Sequence, residues 1–212
     1  MAIKAVFFDV GETLIDETRH WGLWADHLGV PRFTFYAALG SIIGEGRHHR
    51  DVFRIFDPNF DYHSAWQERV ARGEVYEFLD SDFYPDAVPS LRELKRLGYT
   101  IGIAGNQPEG CEAGLRAAGV DADILASSAA WGVEKPSPQF FERIIDVAGL
   151  SAHEIAYVGD HVANDITPAL QCGLAPIFIR RGPWAFLRSA GAEAARAEIT
   201  TLAQLPDLMR SL

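Results

Sequence analysis

The chain is short of several things at once. Its 212 residues include only two cysteines and three lysines, and its longest apolar runs reach about five or six residues, far short of the roughly 20 a membrane span needs. Basic residues are outnumbered 19 to 29, a net charge of −10, which argues against a nucleic-acid surface because phosphate contacts need clustered Lys and Arg. The acidity is spread along the chain: residues 17–85 carry 7 basic and 11 acidic groups, the remainder 12 and 18. Cys111 and Cys172 have neither metal-ligand spacing nor the number a disulfide framework requires. The N-terminus runs almost directly into an apolar stretch, without the pattern of a secretory leader. No G-x-G-x-x-G follows that stretch, which disfavours a nicotinamide dehydrogenase. These absences leave the expectation of a cytoplasmic enzyme or binding protein. What is present, 48% apolar and 23% charged residues, is enough for one large domain or a core with an insertion.

Five short apolar runs predict buried parallel strands: residues 3–8, 100–104, 124–126, 155–158 and 175–179. Segments of helical periodicity separate them, with Val88, Leu91, Leu94 and Leu97 on one stripe and Phe140, Phe141, Ile144, Ile145 and Ala148 on another. Gly98, Gly119, Gly149 and Gly173 supply helix ends, and Ser137-Pro138 an N-cap hydroxyl followed by proline at the first helical position. Such alternation predicts an α/β fold, a doubly wound, five-stranded, Rossmann-like parallel sheet.

The first strand breaks the alternation, since the next core strand begins only near residue 100. Residues 17–85 show amphipathic patterns near 17–29, 32–48 and 62–79, rich in Trp, Phe and Tyr, with no convincing strand. Too long for a loop, they read as a small all-helical cap domain between core segments 1–16 and 86–212. Asp16 and Glu17, with residues 81–86, would be its hinges. Residues 188–198 are Ala-rich and read as a loose surface helix.

Ligands of open α/β sheets sit outside the carboxyl ends of the strands, near the point where strand order reverses. There the sequence puts Asp9-Val10-Gly11-Glu12-Thr13-Leu14, then Gly105-Asn106-Gln107, then Lys135-Pro136, then Gly159-Asp160 and Asp165. Asp9, Asp160 and Asp165 sum to −3, and Lys135 brings the group to −2. Crowded carboxylates must take up protons or bind a cation, and an open all-oxygen site that keeps waters suits Mg²⁺. With one such ion the pocket would be about neutral and able to take a phosphate dianion. Lys135 would be a compact charge for a phosphate oxygen or for keeping a nucleophile ionised.

These strings resemble the haloacid dehalogenase-like hydrolase superfamily, in its branch with a helical cap after the first strand. Phe7 to Leu14 matches its first motif, Ile103 to Asn106 the second, Lys135-Pro136 the third, and Gly159-Asp160 with Asp165 the fourth. The resemblance implies that Asp9 is a nucleophile giving an aspartyl-phosphate. It also implies that Asp9, the carbonyl of Gly11 and Asp160 hold Mg²⁺, with Asp165 binding it directly or through another ligand, and that Lys135 steadies the transferring group. Two positions depart from the family pattern. Gly11 stands where an acid–base aspartate is usual, and Gly105 where a Ser or Thr would bind the phosphoryl group. The first loss typically costs about 10² to 10⁴-fold, the second about 10². Glu12 would replace the missing carboxyl if the loop turns it inward, and Asn106 could offer its amide at the substrate.

Some residues carry plainer readings. Arg47-His48-His49-Arg50 either faces an anionic substrate or is a solvated turn. Trp21 and Trp24 read as core, and His161 as a neighbour of the site. Trp184, Phe186 and Leu187 either cover the core or form a homodimer interface. The expected function is a Mg²⁺-dependent phosphatase for a small phosphorylated metabolite. The alternatives are a haloacid dehalogenase or a weakly catalytic phosphate-binding regulator.

Overall fold

Ala5–Phe8 has no polar face, and all four side chains are buried, so it forms β1 in the middle of a sheet rather than at its edge. The computed structural model describes residues 2–74 and 77–212. The chain divides into two compact units, one of Met1–Asp16 with Leu79–Leu212 and one of Glu17–Phe78.

The first unit is built on six strands: β1, β2 (Thr100–Gly105), β3 (Ile124–Ser127), β4 (Ile155–Gly159), β5 (Ala175–Ile179) and β6 (Ala197–Ile199). All neighbours pair in parallel, in the order β3-β2-β1-β4-β5-β6. The expected five strands are therefore corrected to six. Residues 188–198 are not a helix; a single 3₁₀ turn at Ala192–Ala194 leads into β6, where Ala197 pairs with Ile177 and Ile199 is buried. Three residues on an alanine-rich edge are too few to show a period.

The unit's helices are α5 (Ala87–Arg96), α6 (Cys111–Ala117), α7 (Ser128–Trp131), α8 (Pro138–Ala148), α9 (Thr167–Gln171), α10 (Gly182–Leu187) and α11 (Leu205–Ser211), numbered after the four of the other unit; α5, α6, α8 and α9 are those expected from sequence. On one side of the sheet Ala5, Phe7 and Tyr157 pack with Phe140, Phe141 and Ile144 of α8 and Ala169 of α9. Phe7 also fills the space over Gly102, where an added Cβ would lie 2.3 Å from its ring. Gly98, Gly119, Gly149 and Gly173 all have positive φ, as helix ends require. Ser137 precedes α8, with Pro138 at its start, but its hydroxyl donates to Gln139 Oε1 instead of capping the helix.

The second unit holds α1 (Thr18–His27), α2 (Arg32–Gly44), α3 (Phe53–Phe56) and α4 (Tyr62–Ala71), and no strand among its described residues. Its core is aromatic: Trp24, Phe35 and Phe53 are fully buried, with Trp24 edge-on to Phe53 at 5.1 Å. Asp61 caps α4 by accepting from the amides of His63 and Ser64. Positions 75 and 76 of the expected 62–79 pattern lie outside the described residues. Residues 79–85, assigned to the insertion by sequence, pack with the sheet unit. Asp16 N–H donates to the Asp82 carbonyl at 2.8 Å, Tyr84 N–H to that of Leu14 at 3.0 Å, and Ile15 bridges Phe83. A single-residue bridge leaves no periodic trace in sequence.

Candidate active site

Chain order along the sheet reverses between β1 and β4, and these adjacent strands deliver the acidic groups. Asp9 follows β1, its N–H donating to the Val158 carbonyl at 2.9 Å. Asp160 follows β4, and Asp165 lies in the single π-turn Val162–Ile166. Asp9, Asp160 and Asp165 each bring an oxygen within 4.8 Å of the others. Lys135, 4% exposed, joins two of them: Nζ is 2.7 Å from Asp9 Oδ1 and 2.6 Å from Asp165 Oδ1. Asp165, with no exposed surface, also accepts from the His161 amide through Oδ2 at 2.9 Å.

Glycines make this crowding possible. An added Cβ at Gly159 would lie 2.4 Å from the Asp165 carboxylate, and one at Gly105 2.5 Å from Asp9 Oδ1. Gly105 therefore contributes space for the Asp9 carboxylate, where the family pattern would have a hydroxyl. Gly11 makes a bridge with Ile15 at the turn that leaves β1.

Asn106 is engaged with the lysine loop. Its Nδ2 donates to the Lys135 carbonyl at 2.9 Å and its Oδ1 accepts from the Lys135 amide at 2.8 Å. This pair pins the segment that presents Lys135, beside the cis Lys135–Pro136 bond. Glu12, 6% exposed, accepts from the Tyr84 hydroxyl through Oε2 at 2.6 Å, and its side chain rests where a Cβ on Gly182 would be.

The electrostatics follow from burial and crowding. Burial raises the Asp160 pKa well above the usual carboxylate range, and Asp165, Asp9 and Glu12 push the same way. Burial also raises Asp9, with Lys135 working against it and Asp165 with it. For Lys135 burial opposes the ammonium, but Asp165 and Asp9 outweigh it, and its pKa lies well above the ordinary value. Burial and the Lys135 charge bring His161 down to about 4, so it is neutral at pH 7; it packs 6.1 Å from the Trp184 ring. Burial pushes the Cys111 thiol up to about 12, which makes it a poor nucleophile.

The site fits a hard divalent cation. Asp160 Oδ2 is buried without a hydrogen-bond partner, a costly condition for a carboxylate oxygen. Three carboxylates against one ammonium leave −2, and the donors are all oxygen, as Mg²⁺ prefers.

Three further residues were not reached by sequence reasoning. Arg181 follows β5 and makes two bonds to Asp86, Nη1 to Oδ1 at 3.0 Å and Nη2 to Oδ2 at 2.5 Å. Its guanidinium lies 4.1 Å from the centre of the Tyr84 ring. The signal was available in the position of Arg181, at the carboxyl end of a fifth strand.

In the helical unit, taken by itself, the Arg47–Arg50 cluster is engaged locally. Arg47 pairs with Asp51 and Glu45, His48 and His49 stack at 4.3 Å, and Arg50 lies over the Tyr62 ring. Trp21 and Trp24 are buried.

The haloacid dehalogenase-like hydrolase family model matches residues 3–173, a span that contains Asp9, Lys135, Asp160 and Asp165. The chain belongs to this family. Among the relatives of this haloacid dehalogenase-like hydrolase is glyceraldehyde 3-phosphate phosphatase of Methanopyrus kandleri, 28% identical over 86% of each chain. The HAD phosphatase of Thermococcus onnurineus shares its fold, with a TM-score of 0.64 and 24% identity over 98% of both chains. So does 2-haloacid dehalogenase of Pseudomonas syringae, with a TM-score of 0.58 and 23% identity over 99% of both. Fold is therefore common to neighbours with different chemistry, and the reaction has to be argued from the residues. Among the described residues, no helix of this hydrolase is long and apolar enough to cross a membrane.

Proposed function

We propose that this hydrolase is a Mg²⁺-dependent phosphatase for a small phosphorylated metabolite, working through an aspartyl-phosphate at Asp9. The observation that carries the reading is the buried, unpartnered Asp160 Oδ2 beside two more carboxylates and one lysine. Asp9, Asp160, Asp165 and the Gly11 carbonyl would hold the ion, which when bound would supply positive charge against the phosphoryl oxygens.

The chain's own groups divide the work. A carboxylate oxygen of Asp9 forms a bond to phosphorus while the bond from phosphorus to the leaving oxygen breaks. Water then attacks phosphorus, the Asp9–phosphorus bond breaks, phosphate leaves, and one water proton passes to solvent. Lys135 opposes the protonation that burial favours at Asp9 and faces the charge that develops on the transferring group. Asp165 holds Lys135, and Asn106 holds the backbone of the same residue, so the ammonium is fixed from both ends. This supports a positioning role for Asn106 in place of the substrate contact expected from sequence.

Gly11 offers no proton to a leaving alcohol, and Glu12 is hydrogen-bonded to Tyr84. Turnover therefore favours leaving groups stable without protonation, such as aryl and acyl phosphates. The relative's name makes a three-carbon aldehyde phosphate the first alkyl substrate to try. The test is turnover of p-nitrophenyl phosphate, acetyl phosphate and glyceraldehyde 3-phosphate, with Mg²⁺ and with EDTA, beside an Asp9→Asn control. Hydrolysis that persists in EDTA, or in the control, would overturn the reading; equal aryl and alkyl rates would reveal another proton donor.

A second reading, a phosphate-binding regulator with weak turnover, is favoured by glycine at both 11 and 105. Calorimetric binding of a phosphate compound without hydrolysis would decide for it. Dehalogenation needs no metal, so the metal-like carboxylate group counts against it; chloride release from 2-chloropropionate in EDTA would establish it. We place the protein in the cytoplasm on its unpaired cysteines, and a homodimer through exposed Phe186 and Leu187 is testable by sedimentation.

A further inference from the structure

Among the described residues, Glu12 alone carries a side chain at positive φ, +53°, a conformation that suits glycine. It lies three residues from Asp9, in a turn with its own hydrogen bonds. Glu12 N–H donates to the Ile15 carbonyl at 2.7 Å, and the amides of Leu14 and Ile15 donate to that of Val10 at 2.9 and 3.0 Å. A strained turn persists only where its surroundings over-determine it.

Here two side chains grip successive residues. The Tyr84 hydroxyl donates to the Glu12 carboxylate at 2.6 Å, and Arg181 Nη1 donates to the Thr13 carbonyl at 3.1 Å. The two grips are coupled, because the Arg181 guanidinium lies over the Tyr84 ring at 4.1 Å. Arg181 is in turn fixed by Asp86, whose Oδ2 also accepts from the Thr201 hydroxyl and, at 2.9 Å, from the Leu202 amide. Gly182 leaves the notch for the Glu12 side chain; a Cβ there would lie 2.5 Å from Glu12 Oε2.

We propose that Tyr84 and Arg181 are positioning residues of the nucleophile loop, holding the Glu12–Thr13 turn and through it the placement of Gly11 and Asp9. The catalytic part of this proposal rests on the phosphatase reading; the mechanical part does not. Misplacing a reacting group by about an ångström can cost roughly 10²-fold in rate, so the loss of one anchor is expected to cost about tenfold.

The test uses Tyr84→Phe, which keeps the ring and removes the hydroxyl, and Arg181→Lys, which keeps the charge and removes the planar fork. Hydrogen exchange is read at the amides of Glu12, Leu14 and Ile15, with Ile103 and Val158 in neighbouring strands as controls. Steady-state kinetics use p-nitrophenyl phosphate with Mg²⁺. The expected result is exchange about tenfold faster at the three loop amides, unchanged controls, and kcat about tenfold lower at constant KM. Unchanged loop exchange, faster exchange with kcat intact, or equal acceleration at the controls would each overturn the proposal. Should Arg181→Lys fail to fold, Tyr84→Phe carries the test alone. A wild type without turnover would defeat the phosphatase reading, while the exchange pattern still decides whether the loop is held this way.

Discussion

Two buried ionic clusters sit in the sheet unit, and they are built on opposite plans. Around Arg181 and Asp86, one cation meets one anion, and Thr201 and the Leu202 amide fill the remaining acceptor capacity. Around Lys135, one cation meets three carboxylates, and Asp160 Oδ2 has no partner. The pKa directions follow: burial alone would raise Asp86, but Arg181 and Thr201 bring it below its ordinary value, whereas Asp160 is raised. The first cluster is closed on itself; the second keeps an excess of one charge, which a cation could balance.

The contrast is exposed to experiment. The largest expected effect is on turnover: Asp9→Asn should lower phosphatase kcat on the order of 10⁴-fold while circular dichroism keeps its wild-type form. A variant that stays active would remove Asp9 from the chemistry. Next in size, Asp86→Asn strands the buried Arg181 charge and should cost about 3 kcal/mol in urea denaturation at pH 7. Because the folded Asp86 pKa is depressed, its contribution is complete above the unfolded value near 3.9 and fades as pH falls through the folded value. The gap between wild type and variant should thus be constant down to about pH 5 and close in stronger acid. A gap independent of pH would deny the ion pair its role.

Smaller in scale, Gly159→Ala puts a methyl into the Asp165 carboxylate and should weaken Mg²⁺ binding by roughly 10- to 100-fold in a calorimetric titration. Wild-type affinity in this variant would show that Asp165 is not needed where it stands. The smallest effect has the opposite sign from that of Asp86→Asn. In EDTA, Asp160→Asn removes a buried carboxyl whose ionisation burial and its acidic neighbours oppose, and should stabilise the protein by about 1 kcal/mol. Added Mg²⁺ should then raise the melting temperature of wild type and not of the variant. Destabilisation by Asp160→Asn in EDTA would contradict an open cluster.

The open cluster was legible in the sequence and the closed one was not. Asp9, Lys135, Asp160 and Asp165 could be found because parallel strands deliver the residues that follow them to one edge, a rule that needs only strand positions. Where a side chain points is another matter. From sequence Asn106 read as a substrate amide, whereas in the structure both its polar atoms meet the Lys135 backbone. Arg181 stands after β5 and obeys the same rule, yet its partner Asp86 begins a helix 95 positions earlier, a pairing no local pattern encodes. The core strands were readable as apolar runs; β6 was not, because three residues on an edge carry no period.

Strand order also sets a timetable for synthesis. β1 is made first, but its two neighbours in the sheet begin at Thr100 and Ile155, so the ribosome releases the central strand long before either flank exists. The helical unit is complete at Phe78, ahead of both, and domains generally fold as units from the N-terminal side during translation. On the nascent chain, Asp9 therefore emerges well ahead of Asp160 and Asp165, and the three-carboxylate group is complete only once Asp165 has been made.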